Sequence, residues 1–167
     1  MTSRRNTSAK MITFESAQTI GLLFDANTLQ DRNLVLKYAK SLTKAGKKVI
    51  LLGYMENTHE NENYTFAYYN LKNIDWAKRP KGEVVDTFIN ENVDILISIH
   101  LQSNSHTEYI AALSKAAFKV GPIATFEKTF DLMLDTSNLS SLSEFIEQIE
   151  NVLKKTKVRQ QQPAAMA

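Results

Sequence analysis

Between Gly82 and Gly121 the sequence alternates helix, strand, helix and strand, and this alternation restricts the chain's fold more than any other feature. Its centre, Val93-Asp94-Ile95-Leu96-Ile97-Ser98-Ile99, is apolar, too short for a free-standing helix and rich in β-branched residues, which predicts a buried parallel strand. Helical patterns flank it, from Glu83 to Asn90 before and from Ser105 to Ala116 after. Helices alternating with buried strands predict an α/β fold: a three-layer sandwich with a doubly wound, mostly parallel, Rossmann-like sheet of five or six strands.

The N-terminal half repeats the theme. Thr19 to Asp25 is an apolar run closed by an acid, a strand that delivers its C-terminal end to a loop. Asp31 or Asn27 can cap the helix that follows, on which Leu34, Val35, Tyr38, Ala39 and Leu42 share a face, and Gly46 stops it at Ala45. Lys48 to Tyr54 is a second buried strand, so the three elements form a right-handed βαβ unit. Met55 to Asn63 reads as an exposed acidic loop. Tyr64 to Tyr69 reads as an aromatic strand near the sheet edge. Trp76, the only tryptophan, is expected to cover an edge of the core; its basic neighbours Arg79 and Lys81 also suit a stacking and phosphate surface.

Beyond the central strand, Ser105 can cap a helix carrying Tyr109, Ile110, Leu113 and Ala117, and Phe118 to Pro122 is a short strand. Leu132 to Asp135 is a last strand. The final helix opens at Ser140 or Ser141, where Ser141 and Glu144 have capping-box spacing, and buries Leu142, Phe145, Ile146, Ile149, Val152 and Leu153. The domain reading is a basic arm over residues 1–15, one α/β domain over 16–155, and a disordered tail over 156–167.

Charge is unevenly placed. The net charge is +2, yet seven of the 20 basic residues lie near the ends: Arg4, Arg5, Lys10, Lys154, Lys155, Lys157 and Arg159. The remaining 13 face all 18 acidic residues, so an acidic body of net charge −5 carries two basic arms. Such arms favour a polyanion, with RNA or the ribosome as the expected partner. As solvated ends they need no partner at all. There is no cysteine, which removes disulfides, thiolate zinc sites and cysteine nucleophiles. There is no apolar run of transmembrane length and no apolar stretch of the secretory kind, so the expected location is the cytoplasm.

In an open parallel sheet, ligands gather beyond the carboxyl ends of the strands, where strand order reverses. The first strand ends at Asp25 and the central one at Ser98 to His100, which makes Asp25, Ser98, His100 and His106 the candidate ligand-binding residues, with Ser103 nearby and Gly53, Tyr54 and Gly121 on neighbouring strands. Asp25 and His100 suit a carboxylate and base pair. Alternatively, Asp25 only caps the next helix. No Gly-x-Gly-x-x-Gly follows the first strand, no Walker lysine motif is present, and five glycines cannot form a glycine-rich cradle, so no dinucleotide cofactor is expected. His59, His100 and His106 lack zinc-ligand spacing, and a Gly-x-Ser-x-Gly elbow is missing.

Four strings carry a resemblance: Ser16 to Ala26, Lys78 to Gly82, Asp94 to Ile97, and Tyr109 to Gly121. Through them the chain, from about Ser16 to Asn151, resembles an uncharacterised family of small Bacteroidota proteins, which implies an α/β fold and brings no established activity. Asp94 to Ile99, Ala111-Ala112 and Lys119-Val120-Gly121 also look like the acceptor half of heptosyltransferase-type glycosyltransferases, about thirty residues in all. Because such enzymes hold the nucleotide-sugar on a second domain, this likeness implies the fold rather than glycosyl transfer. The expected function is a non-catalytic binding or assembly module acting on RNA or the ribosome through the basic arms. The alternative is a small-molecule-binding domain or small enzyme with its site at the strand ends. A protein partner is a third expectation, for which exposed aromatics between Tyr64 and Trp76 would be the sign.

Overall fold

A computed structural model describes the backbone of residues 12–166 and the side chains of residues 12–155. In chain order the elements are β1 (Thr19–Asp25), α1 (Leu29–Lys44), β2 (Lys48–Met55), β3 (Ala67–Asn70), α2 (Glu83–Asn90), β4 (Ile95–Ile99), α3 (Ser105–Leu113), β5 (Phe118–Pro122), β6 (Leu132–Leu134) and α4 (Leu142–Met166), with a 3-10 turn at Leu71–Asn73. The six strands form one sheet in the order β3-β2-β1-β4-β5-β6, and every pairing is parallel. The order reverses between β1 and β4, the position at which doubly wound sheets open a crevice.

Side chains alternate across each strand, and the two faces bury different partners. Ile20, Leu22 and Phe24 of β1, with Ile95, Ile97 and Ile99 of β4, pack against Val35 and Leu42 of α1 and Phe145 and Ile149 of α4. Leu23, Leu52 and Leu96 face the other way, onto Val85 and Phe88 of α2 and Ile110 and Ala111 of α3. The three-layer α/β sandwich expected from the sequence is the observed fold. Continuing the alternation past Leu23 and Leu96 puts Asp25, Ser98 and His100 on the α2/α3 side of the sheet.

The strand register has its own staple. Asp94 Oδ2 accepts hydrogen bonds from Gln18 N (2.7 Å) and Thr19 N (3.2 Å), which ties the entrance of β1 to that of β4. On the far side, Gly121 of β5 lies against Phe130 so closely that an added Cβ would collide with the ring.

Several local expectations change. Thr28, rather than Asp31 or Asn27, caps α1: its Oγ1 accepts from Asp31 N (3.0 Å), while Asn27 Oδ1 accepts from Glu56 N (2.6 Å). Asn104 rather than Ser105 caps α3, accepting from Thr107 N (2.9 Å). The Ser141 and Glu144 box forms as expected, with Glu144 N donating to Ser141 Oγ and Ser141 N to Glu144 Oε1, both at 3.2 Å. β3 begins at Ala67 rather than Tyr64, because Tyr64 and Phe66 stack on each other (5.2 Å) against the core instead of extending the ladder.

Trp76 does not cover the core. It is 90% exposed, turned outward by a loop that closes on itself through Asp75. α4 continues as helix to Met166, through the stretch whose composition predicts a disordered tail. Of the basic residues near the ends, Lys154 lies 3.7 Å from Glu150 and Lys155 is exposed; Arg4, Arg5 and Lys10, and the side chains of Lys157 and Arg159, fall outside the described residues. Among the described residues no helix is long and apolar enough to cross a membrane.

Candidate binding site at the β1–β4 switch point

Parallel register lines up the strand ends. Asp25 pairs with Tyr54, and Tyr54 pairs with Tyr69, so one row across the sheet carries a carboxylate and two phenols. His100 leaves β4 one residue past Ile99, whose register partner is Phe24, and its ring comes beside Asp25. The turn from His100 to Asn104 leads into α3, whose second residue, His106, comes over the two tyrosines.

His100 is 2% exposed, and its Nδ1 lies 2.8 Å from Ser98 Oγ, itself buried. Ser98 has no other side-chain partner among the described residues. Its hydroxyl proton is therefore satisfied by donation to Nδ1, which places the imidazole proton on Nε2. Nε2 in turn faces Asp25 Oδ1 at 3.5 Å, an ion-pair separation that is too long for a good hydrogen bond. Both atoms are buried without a hydrogen-bond partner. The Asp25 side chain as a whole is 41% exposed, so its other oxygen carries the exposure.

A parallel arrangement holds His106. Its Nδ1 lies 2.8 Å from Tyr69 OH, and its ring packs 4.2 Å from that of Tyr54. Tyr69 is fully buried, and burial, reinforced by the negative charge of Asp25, keeps its hydroxyl protonated well above the usual range. It therefore donates to Nδ1, and His106 also carries its proton on Nε2.

Burial pushes the His106 pKa down to about 4, against the pull of Asp25 and helped by repulsion from His100. For Asp25, burial alone would raise the carboxyl pKa. The N–H that His100 turns towards it, and the positive charge that His100 and His106 bear when protonated, outweigh burial and hold the group below its ordinary 3.8. At neutral pH the site therefore presents an ionised Asp25 beside a neutral His106.

Asp25 and His100 form part of the floor of a cleft of about 930 Å³ between α1, the turn after β4 and the start of α4. Its polar walls come from Lys37, Ser103, Asn104 and Ser141 among others, so hydroxyls and carboxamides outnumber charges. Of the four residues expected from the sequence, Asp25 and His100 reach this cleft, Ser98 stands behind His100, and His106 sits with the tyrosines. Ser103, the nearby residue, lines the wall. Gly121 serves close packing of Phe130 and lies outside the cleft. Tyr69, Lys37 and Ser141 were not among the candidates; the ends of β2 and β3, aligned with Asp25, are the signal that could have brought in Tyr69. Among the described residues no group of three or more His, Asp or Glu side chains is placed to hold a metal ion.

Comparison with curated proteins returns no match, and neither does comparison with solved structures. Comparison with family profiles does return one, over residues 1–156. The chain belongs to that family, which is described as a family of unknown function (DUF6913).

Proposed function

We propose that the chain is a small-molecule-binding domain whose site is the cleft at the β1–β4 switch point, with Asp25 as the acceptor that orients the ligand. One observation carries this reading. Asp25 Oδ1 and His100 Nε2 are buried, face each other at 3.5 Å, and have no hydrogen-bond partner, at the floor of the crevice that this strand order opens.

The charge state of Asp25 supports a recognition role. A general base works best with a pKa near the operating pH. Asp25 lies below 3.8 and His106 at about 4, so at neutral pH both are poor proton acceptors, while Asp25 is a strong hydrogen-bond acceptor. A wall of hydroxyls and carboxamides suits a neutral ligand rich in hydroxyl groups, such as a monosaccharide. A Bacteroidota-type origin and a cytoplasmic location are part of this proposal; the short likeness to glycosyltransferase acceptor domains bears on the fold alone.

The test is a thermal-shift comparison of the full chain and its Asp25→Asn variant against a panel of monosaccharides and sugar acids. A ligand that raises the melting temperature of the wild type and not of the variant is the expected result. Equal shifts in both proteins would remove Asp25 from the site.

A further inference from the structure

Two braced loops flank α3 on the sheet face opposite α1 and α4. In the first, Asp75 Oδ1 accepts from Ala77 N (2.9 Å) and Arg79 N (3.0 Å), Asp75 N donates to Arg79 O (3.0 Å), and Ile74 and Pro80 form an antiparallel bridge. Lys78 takes the left-handed conformation (φ 65°) that this tight closure requires. The second loop, between β5 and β6, is anchored by Glu108, a buried α3 residue whose two carboxylate oxygens accept from Thr125 N (3.2 and 3.1 Å). Thr129 N closes it onto Phe126 O (3.1 Å).

This bracing holds apolar rings out in water. Trp76 is 90% and Phe126 72% exposed. Between their loops runs a groove of about 440 Å³ lined by Phe126, by Lys78 and Arg79, and by Tyr109 and Ala112 of α3; Trp76 is outside the lining, one residue before the lining residue Ala77. Single exposed apolar residues are ordinary; two exposed aromatics on fixed loops beside one groove are the pattern of an interaction surface.

The cations around the groove indicate the kind of partner. Each loop repeats one arrangement, an exposed aromatic followed two residues later by a lysine: Trp76-Ala77-Lys78 and Phe126-Glu127-Lys128. Neither Lys78 nor Lys128 has an ion-pair partner among the described residues. Arg79 reaches Asp75 through Nε only (3.2 Å), which leaves its terminal nitrogens to donate elsewhere. Against these three cations stands one exposed carboxylate, Glu127, since Asp75 and Glu108 are engaged inside their loops.

We infer that this groove binds single-stranded nucleic acid, with bases stacked on Trp76 and Phe126 and phosphates held by Lys78, Arg79 and Lys128. A flat ring beside a cation, presented twice, matches the repeating base and phosphate of a nucleotide strand. An acidic peptide would use the cations but has no repeating flat group for the rings.

Because Trp76 is the only tryptophan, its emission reports this surface alone. The experiment titrates the full chain with oligo-uridylate at low salt, following tryptophan emission, and follows a dye-labelled oligo-uridylate by anisotropy for the variants. Expected are saturable quenching, affinity lowered about 5- to 150-fold in Trp76→Ala or Phe126→Ala, and a salt slope reduced by about 0.7 for each of Lys78→Ala and Lys128→Ala. All four side chains are at the surface, and circular dichroism confirms that the variants stay folded. Absence of quenching and of anisotropy change in the wild type overturns the proposal. So does wild-type affinity in Trp76→Ala and Phe126→Ala, which would move binding to other cations such as those near the chain ends. Quenching by a glutamate-rich peptide but not by oligo-uridylate overturns it in favour of a protein partner.

Discussion

Asp25 Oδ1 and His100 Nε2 lie 3.5 Å apart at the ends of adjacent parallel strands, both buried and neither hydrogen-bonded. The pair exists because β1 and β4 are neighbours in the sheet although more than sixty residues separate them in sequence. Ser98, on the same strand face as His100, supports the tautomer that points an N–H at the carboxylate.

Ser98→Ala removes that orienting hydroxyl and leaves Nδ1 of a buried ring without its partner. The expected cost is about 1–3 kcal/mol of stability. The His100 proton stays on Nε2, because the Asp25 carboxylate still faces that nitrogen. Urea midpoints measure the loss, and long-range nitrogen NMR of the histidine rings checks the tautomer: Nε2 carries the proton in both proteins.

His106 makes stability depend on pH. Its folded-state pKa of about 4 lies below the ordinary 6.5, so between these values the unfolded chain binds more protons than the folded one. This contribution is complete above pH 6.5 and is lost as the pH falls towards 4. His106→Gln should flatten that part of the profile, measured as urea midpoints across the window, while the wild type loses stability on acidification.

Asp94 joins the entrances of β1 and β4 through two backbone amides. Asp94→Ala leaves Gln18 N and Thr19 N without that acceptor and should cost about 1–3 kcal/mol. Because the register is held at the far end from the cleft, chemical denaturation detects the loss, whereas the tyrosine and histidine contacts at the strand ends stay in place.

Gly121→Ala drives a methyl group into the Phe130 ring and should cost about 1–3 kcal/mol. Phe130→Leu introduced together with it frees space at the contact. The double variant is therefore expected to be less destabilised than the sum of the two single ones, read as a coupling energy from denaturation midpoints.

The architecture was legible because its signals are local and periodic. Ile20 to Phe24 and Ile95 to Ile99 are short apolar runs with turn residues beyond them, and α2 was placed at its observed bounds by Gly82 and the pattern that follows. Strand ends are marked by the first polar residue after an apolar run, which is how the sequence puts Asp25 and His100 at the ends of β1 and β4. Strand order was not written locally, so Tyr69 could not be assigned to the same row as Asp25 until β3 was seen to pair with β2. The orientation of Trp76 was missed for a similar reason. It depends on Asp75 closing its own loop, a preference of one carboxylate for nearby amides that hydropathy does not register.

The binding proposal is tested most directly by amide NMR of the full chain titrated with monosaccharides and sugar acids, in parallel with Asp25→Asn. The account predicts shifts confined to Asp25, His100, Ser103, Asn104 and the start of α4 for at least one of these compounds, and their disappearance in the variant, which keeps the wild-type dispersion elsewhere. A panel that leaves these signals unmoved, or one whose shifts persist in Asp25→Asn, contradicts it.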